Sequence, residues 1–419
     1  MHVQSWLERA AQMRPDRESV GGVAYAELHA RARAGAAALA ARGIRAGDRV
    51  GIALPAGVEF AVALHAAWLL GAVAVPVDLR LGAAERAHVQ TGCAVVVEEP
   101  LEAAGADPAA APLLGTHDLD APAAVIHTSG STGLPKPVVL TFGNWLWSAL
   151  GSAVALGLDR RERWLCPLPL THVGGLSIVV RSAVYATTAV VMERWDTDAA
   201  LAALDRDVTL VSLVPTTLTR LLDAGLTRPP RLRTVLLGGA SIPPALLARA
   251  ADAGVPVTPT YGMTEACSQA ATGGVPLFCT RIEIAADGEV VVSGPTVTGD
   301  GVHRTGDLGR FDAHGRLEII GRKADTIITG GENVAPAEVE AVLAEHPAVA
   351  EAAVHGRPDP RWGERLVATV VLRPGAAVGE AELRAHASAR LAAFKVPKEI
   401  AFAAGLPRTG SGKLLRRAL

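Results

Sequence analysis

The chain is poor in cysteine, nearly without net charge, and has no unbroken apolar stretch of membrane length. Its four cysteines, Cys93, Cys166, Cys267 and Cys279, lie far apart and form no CxxC pair. That spacing excludes a zinc ribbon and a disulfide scaffold, and a reduced, cytoplasmic protein is the default. With 40 basic against 42 acidic residues spread along the chain, the net charge of -2 leaves no electrostatic footprint for nucleic acid. A small soluble substrate is the better expectation. The longest apolar run, Phe60 to Val77, is interrupted by His65, Gly71 and Pro76, so it reads as a buried helix followed by a strand and not as stable membrane insertion. Residues 1 to 17 alternate charged and apolar side chains at helical spacing and show no signal-peptide core.

What is present begins with size: 419 residues, half of them apolar, predict two or three domains. Within them Thr128, Ser129, Gly130, Ser131, Thr132, Gly133, Leu134, Pro135 and Lys136 form a run of hydroxyls and glycines closed by a cation. Its uncovered donors suit an oligophosphate. The apolar residues 123–126 and 138–140 read as strands that the loop joins, and Pro135 and Pro137 stiffen its exit. A Gly/Ser-rich surface turn is the competing reading. A Walker loop is rejected, because prolines bracket the lysine where Gly-Lys-Ser/Thr should open a helix.

From Arg49 onward strands and helices alternate, which predicts right-handed crossovers and parallel sheets. The segment 98–122 reads as a linker, and 144–156 as a helix. Pro167 to Gly175 is a loop whose glycines would let a ligand approach closely, with His172 inside it. The apolar helix 176–185 carries a single charge, Arg181, which needs a partner: an acid on another helix or a substrate carboxylate. Gly238, Gly239 and Ala240 end a strand where open α/β sheets bind ligands. Tyr261, Thr264 and Glu265 place a ring, a hydroxyl and a carboxylate at another strand end, and Glu265 is a candidate for Mg2+. Residues 281–320 alternate with period two and predict a small antiparallel β subdomain containing Asp307. After a junction at 321–325, including Arg322, come a loop with Gly330 and Gly331, a helix opened by Pro336, further strands and a Gly-rich tail ending at Lys413.

Taken together and in order, the phosphate loop, His172-Val-Gly-Gly, Tyr261-Gly-Met-Thr-Glu, Arg304-Thr-Gly-Asp, Gly321-Arg-Lys-Ala-Asp and Pro407-Arg-Thr-Gly-Ser-Gly-Lys resemble the acyl-adenylate-forming superfamily of acyl-CoA synthetases, adenylation domains and luciferases. The resemblance implies an α/β fold: a large N-terminal domain (1-321) of two β/α layers plus a small β subdomain, then a small mobile α+β C-terminal domain (322-419). It also implies ATP, Mg2+ and coenzyme A as cofactors. The loop would hold ATP phosphates, Gly238, Gly239, Ala240 and Tyr261 would flank adenine, and Thr264 would touch phosphate. Glu265 would hold Mg2+, Asp307 the ribose hydroxyls, with Arg322 nearby. Lys413 would bridge ATP and the acid, and His172 would lie at the acyl pocket or thiol tunnel. Rotation of the small domain about 321–325 would separate the half-reactions. Relatives often carry Asp, Lys or Ser where this chain has Ala324. Gly330, Gly331 and Trp362 resemble the CoA-ligase form of the small domain, and a homodimer is allowed.

The segment from His172 to Ser182 is similar to that of the o-succinylbenzoyl-CoA synthetases of menaquinone biosynthesis. Their substrate keeps one charged carboxylate in an apolar pocket, a need that Arg181 would meet. The alternatives are a ligase for another aryl or short-chain acid, an adenylation protein that loads a carrier, and, from a different class, a binding protein that has lost catalysis.

Overall fold

The computed structural model describes residues 1–101, 112–128, 135–408 and 414–419. They form two compact units. The larger comprises Met1–Gly239, Ala253–Arg281 and Val292–His303, and the smaller Ala240–Asp252, Ile282–Val291 and Arg304–Leu419.

The larger unit is built on two sheets. One has five strands in the order Cys93–Val97, Arg49–Ile52, Val73–Pro76, Pro122–Thr128, Lys136–Thr141. Its first four are parallel and the last is antiparallel. The other has nine, in the order Val275–Pro276, Ser268–Thr272, Val257–Met263, Thr234–Leu237, Leu210–Leu213, Arg163–Cys166, Thr188–Val191, Glu18–Val20, Val23–Ala24. Strands covered on both faces are largely apolar, and Val73–Pro76, Leu210–Leu213 and Thr234–Leu237 are buried at every position, the polar Ser212 and Thr234 being hydrogen-bonded to Trp164 and Thr258. Alanine-rich Tyr25–Ala41 forms a helix packed on helix Val58–Leu69, close enough that a Cβ on Gly35 would lie 3.2 Å from that of Ala66.

The expected strands on either side of the phosphate loop are present and pair antiparallel, from Pro122↔Thr141 to Thr128↔Lys136. The second passes straight into helix Phe142–Leu156. Thr141 and Asn144 make this abrupt entry affordable through a reciprocal cap: Asn144 N donates to Thr141 Oγ1 at 3.1 Å, and Thr141 N to Asn144 Oδ1 at 2.9 Å. The helix therefore begins two residues before the expected Asn144.

One expectation needs correction. Residues 98–122 are not all linker, because Thr116–Asp118 is a strand, and it pairs antiparallel with His2–Gln4 ahead of the first helix, Trp6–Met13. Three-residue strands are too short to show a period, and here tertiary contacts form them. His117 stacks on Phe142 with ring centroids 4.2 Å apart, and Trp6 and Trp68 complete an aromatic core.

The smaller unit holds most of a four-stranded sheet, Arg281–Ile284, Glu289–Ser293, Val302–Phe311, Leu317–Arg322, in chain order. It also holds a five-stranded sheet with helices Pro336–Ala344 and Glu380–Ser388, around a core that includes Val339, Leu343, Val354 and Leu366. These are the expected small β sheet and α+β C-terminal domain. Among the described residues no helix is long and apolar enough to cross a membrane.

Candidate functional site

In the larger unit, strands Arg163–Cys166, Leu210–Leu213, Thr234–Leu237 and Val257–Met263 are neighbours and parallel, so their C-terminal ends share one sheet edge. That edge is where open α/β sheets bind ligands. Three of the stretches singled out in the sequence leave from it: the loop to His172, the Gly238-Gly239 turn, and Tyr261 to Glu265.

The glycines there answer to the chain's own backbone. A Cβ on Gly238 would lie 2.8 Å from Thr260 O, and one on Gly262 only 1.7 Å from Ser268 O. Gly239 has φ +79°, in the left-handed region. Gly175 was expected to admit a ligand. Its Cβ would instead meet Pro169 O at 2.3 Å, so it lets the loop fold against the start of helix Val173–Tyr185, which His172 immediately precedes.

A register shift between Tyr261 and Gly262 re-aims the chain into a 3-10 turn, Thr264–Ala266, followed by Cys267 at φ 51° and Ser268 at φ 92°. Left-handed conformations at two non-glycine residues cost energy, and persist only where surroundings hold them. Thr298 N donates to Glu265 O at 2.9 Å, Cys267 N to Thr264 O at 3.0 Å, and Ser148 Oγ to Cys267 O at 2.5 Å. The Glu265 carboxylate enters no ion pair among the described residues, and no three His, Cys, Asp or Glu side chains converge there on a metal site. A lone carboxylate fits Mg2+ completed by a ligand's phosphate oxygens and water.

Arg181 is 2% exposed. Among the described residues no acid pairs with it. Nη2 donates to Ser148 Oγ at 3.0 Å, the guanidinium carbon lies 5.6 Å from the Trp164 ring centroid, and Nε has no hydrogen-bond partner. Burial lowers its pKa from the ordinary arginine value. The salt bridge to a neighbouring helix is therefore not formed. Ser148, absent from the sequence reading, connects Arg181 to the turn that carries Thr264 and Glu265.

At the phosphate loop, Thr128, Pro135 and Lys136 are described, whereas Ser129, Gly130, Ser131, Thr132 and Gly133 lie outside the described residues. Thr128 Oγ1 is 3.4 Å from Lys136 O, and the His88 ring nitrogen Nε2 is 3.0 Å from Pro135 O. His88, which no motif marks, thus holds the loop's exit.

In the smaller unit, Asp307 and Arg322 meet as expected, with Oδ1 to Nε 2.7 Å. Asp307 N donates to Thr305 Oγ1 at 3.0 Å. The sequence reading missed Asp287 and Glu289. Glu289 accepts from Arg304 Nη2 (2.6 Å), Gly306 N (3.0 Å) and Lys323 Nζ (3.1 Å), and Asp287 from Lys323 Nζ (2.8 Å). These two acids tie the Arg304-Thr-Gly-Asp motif to the 321–325 junction, and Lys323 in turn draws the Asp287 pKa down to about 2. Gly330 (φ +60°) donates its N–H to Trp362 O at 2.8 Å, and its Cβ would lie 3.0 Å from the Trp362 ring. Trp362 is 37% exposed, with Arg361 at 4.7 Å and Lys398 at 5.7 Å from its centroids. Lys413 lies outside the described residues. Of the remaining expected site residues, Ala240 begins the smaller unit and Gly331 has φ +85°.

The chain matches the AMP-binding enzyme family over residues 7–112 and 94–300, and the AMP-binding enzyme C-terminal domain over 338–413. It is 37% identical to a 2-succinylbenzoate–CoA ligase of Bacillus licheniformis, over 99% of each chain, and 38% identical to one of Geobacillus kaustophilus, over 99% of this chain and 97% of that one. Among solved structures, o-succinylbenzoate CoA synthetase from Bacillus subtilis in complex with the acyl-adenylate intermediate OSB-AMP superposes with a TM-score of 0.90 at 35% identity, covering 100% of this chain and 98% of that one. The same enzyme with ATP and magnesium ion gives 0.90 at 35%, covering both chains fully. ATP-bound MatB from Rhodopseudomonas palustris gives 0.88 at 27%, covering 99% and 98%.

Proposed function

The chain belongs to the AMP-binding enzyme family, and from that premise we propose that it is an ATP-dependent, AMP-forming acid–CoA ligase acting on o-succinylbenzoate in menaquinone biosynthesis. The observation that carries the choice of acid is Arg181, a buried cation with no acidic partner among the described residues, in a chain similar from end to end to 2-succinylbenzoate–CoA ligases.

The first step joins two anions: a carboxylate oxygen attacks the α-phosphorus of ATP, and pyrophosphate leaves. Lys413, Lys136 and the donors of residues 128–133 lower that repulsion, each preorganised charge supplying roughly 3 kcal/mol to the transition state. Mg2+, held by Glu265, supplies further neutralisation of phosphate oxygens. Thr264 contacts phosphate, Tyr261 and residues 238–240 flank adenine, and Asp307, set by Arg322, accepts from the ribose hydroxyls. In the second step the CoA thiol attacks the acyl carbon and AMP leaves, with His172 at the thiol's path. Trp362 offers a stacking face between two cations, and with Gly330 and Gly331 it forms the CoA contact on the small domain. That domain, 322–419, rotates about 321–325 between the steps. The four free, widely spaced cysteines support a cytoplasmic location.

Arg181 has a second reading, favoured by the Ser148 link: it braces the Thr264–Ser268 turn for any acid. A panel of acids with ATP and CoA, read by mass spectrometry, tests the activity, with o-succinylbenzoyl-CoA the expected product. Arg181→Ala should then lower kcat/KM for o-succinylbenzoate far more than for a monocarboxylic aryl acid. Equal losses would assign Arg181 to bracing and overturn its role in specificity.

A further inference from the structure

Three residues beyond Lys413, Arg416 has its guanidinium fully engaged. Nη1 and Nη2 grip the two carboxylate oxygens of Glu340 on helix Pro336–Ala344, the latter at 2.9 Å. Nη1 also donates to Val354 O at 3.0 Å, and Nε to Asp325 Oδ2 at 3.2 Å. Glu340 is fixed from its other side, since Val354 N donates to its Oε1 at 2.7 Å. The fork therefore joins a helix, a strand and the 321–325 junction at one point. A planar five-donor group can do this, whereas a lysine cannot. Its side chain is 22% exposed and that of Glu340 16%, so water screens the pair only partly. The pairing with Glu340 raises the Arg416 pKa against the opposing effect of burial.

The chain between this anchor and the strand before it is stitched as well. Leu415 N donates to Pro407 O at 2.9 Å, Leu414 pairs with Arg408, and Arg408 Nη2 lies 2.5 Å from Glu351 Oε2. Leu414, Leu415 and Arg416 are thus each held by a partner elsewhere in the smaller unit.

We propose that Arg416 is the positioning residue for Lys413: by clamping Glu340, Val354 O and Asp325 it fixes the chain that presents the lysine for adenylation and ties that chain to the junction about which the small domain turns. This rests on the ligase reading above. Only adenylation needs Lys413 in place, so loosening the clamp should act on that step alone. A misplacement of about 1 Å costs on the order of a hundredfold in rate.

The test compares wild type, Arg416→Ala and Arg416→Lys in the full chain, by three measurements. Hydrogen exchange at the Leu415 amide should lose about tenfold or more of its protection in Arg416→Ala. ATP–pyrophosphate exchange with o-succinylbenzoate should fall about a hundredfold in kcat with the KM for ATP within about threefold, and Arg416→Lys should fall between. Thioester formation from supplied acyl-adenylate and CoA should stay within about threefold of wild type. Unchanged Leu415 protection overturns the inference, as does equal loss of both half-reactions. If no acid supports pyrophosphate exchange in wild type, the ligase reading fails, and the amide measurement still decides whether Arg416 clamps the tail.

Discussion

Acidification from pH 7 to pH 5 should destabilise the larger unit by about 4 kcal/mol, through two histidines that fold neutral. His65 and His117 are each 3% exposed. Burial pushes the imidazole of His65 down to about 3, helped by the nearby His117 and His29, and that of His117 down to about 4. The geometry agrees: His117 lies flat on Phe142, and its Nε2 accepts from Trp6 N at 3.4 Å, which needs an unprotonated nitrogen. In the unfolded chain both titrate near 6.5. Their folded values lie below that, so the stability is fully present above pH 6.5 and is lost as pH falls toward 4 and 3. Each histidine then contributes about 1.4 kcal/mol of loss per pH unit, or about 2 kcal/mol by pH 5. Urea unfolding followed by tryptophan fluorescence reads this directly, because Trp6 and Trp68 sit in the same cluster. His117→Phe should lower the pH slope between 6.5 and 5, and adding His65→Leu should lower it by about as much again, leaving the share of His29 and His127, whose pKa values burial also lowers. A wild-type loss under about 1 kcal/mol, or a slope unmoved by His117→Phe, would refute the reasoning.

Two further outcomes follow from the site. Gly262→Ala places a Cβ 1.7 Å from Ser268 O, so the bulge before Thr264 must open; a loss of about 3 kcal/mol or more is expected in thermal or urea unfolding, with pyrophosphate exchange lost beside it, and a variant of unchanged midpoint would remove the close-approach argument. Lys413→Ala should abolish acyl-adenylate formation yet leave thioester formation from supplied acyl-adenylate largely intact, measured as separate half-reactions; equal loss of both would argue against rotation of the small domain.

What could be read from the residues divides along a physical line. Buried parallel strands declare themselves by largely apolar runs and were legible without knowing any distant partner, whereas Gly238 and Gly239, read as a ligand-binding turn, and Gly262 answer to backbone that the sequence does not show beside them. The missed pieces all depend on a partner far along the chain. Strand Thr116–Asp118 exists because His2–Gln4 lies beside it. Ser148 matters only because Arg181 and Cys267 reach it from two other elements, and Glu340 only because Arg416 does. No local period encodes such pairs.

The same division bears on Ala324, the one departure at the 321–325 junction. Its side chain is exposed and carries no polar group that could hold the junction. The two flanking residues are charged: Lys323 is bound to Asp287 and Glu289, and Asp325 to Arg416. A turn of the backbone at Ala324 would have to carry these pairs with it or break them. Glu289 is nearly buried and Arg416 largely so, so water screens these pairs only partly and breaking them costs more than breaking a fully exposed pair. Lys323 and Asp325, on either side of Ala324, are thus both tied to partners within the smaller unit, whereas Ala324 has no side chain with which to make such a pair.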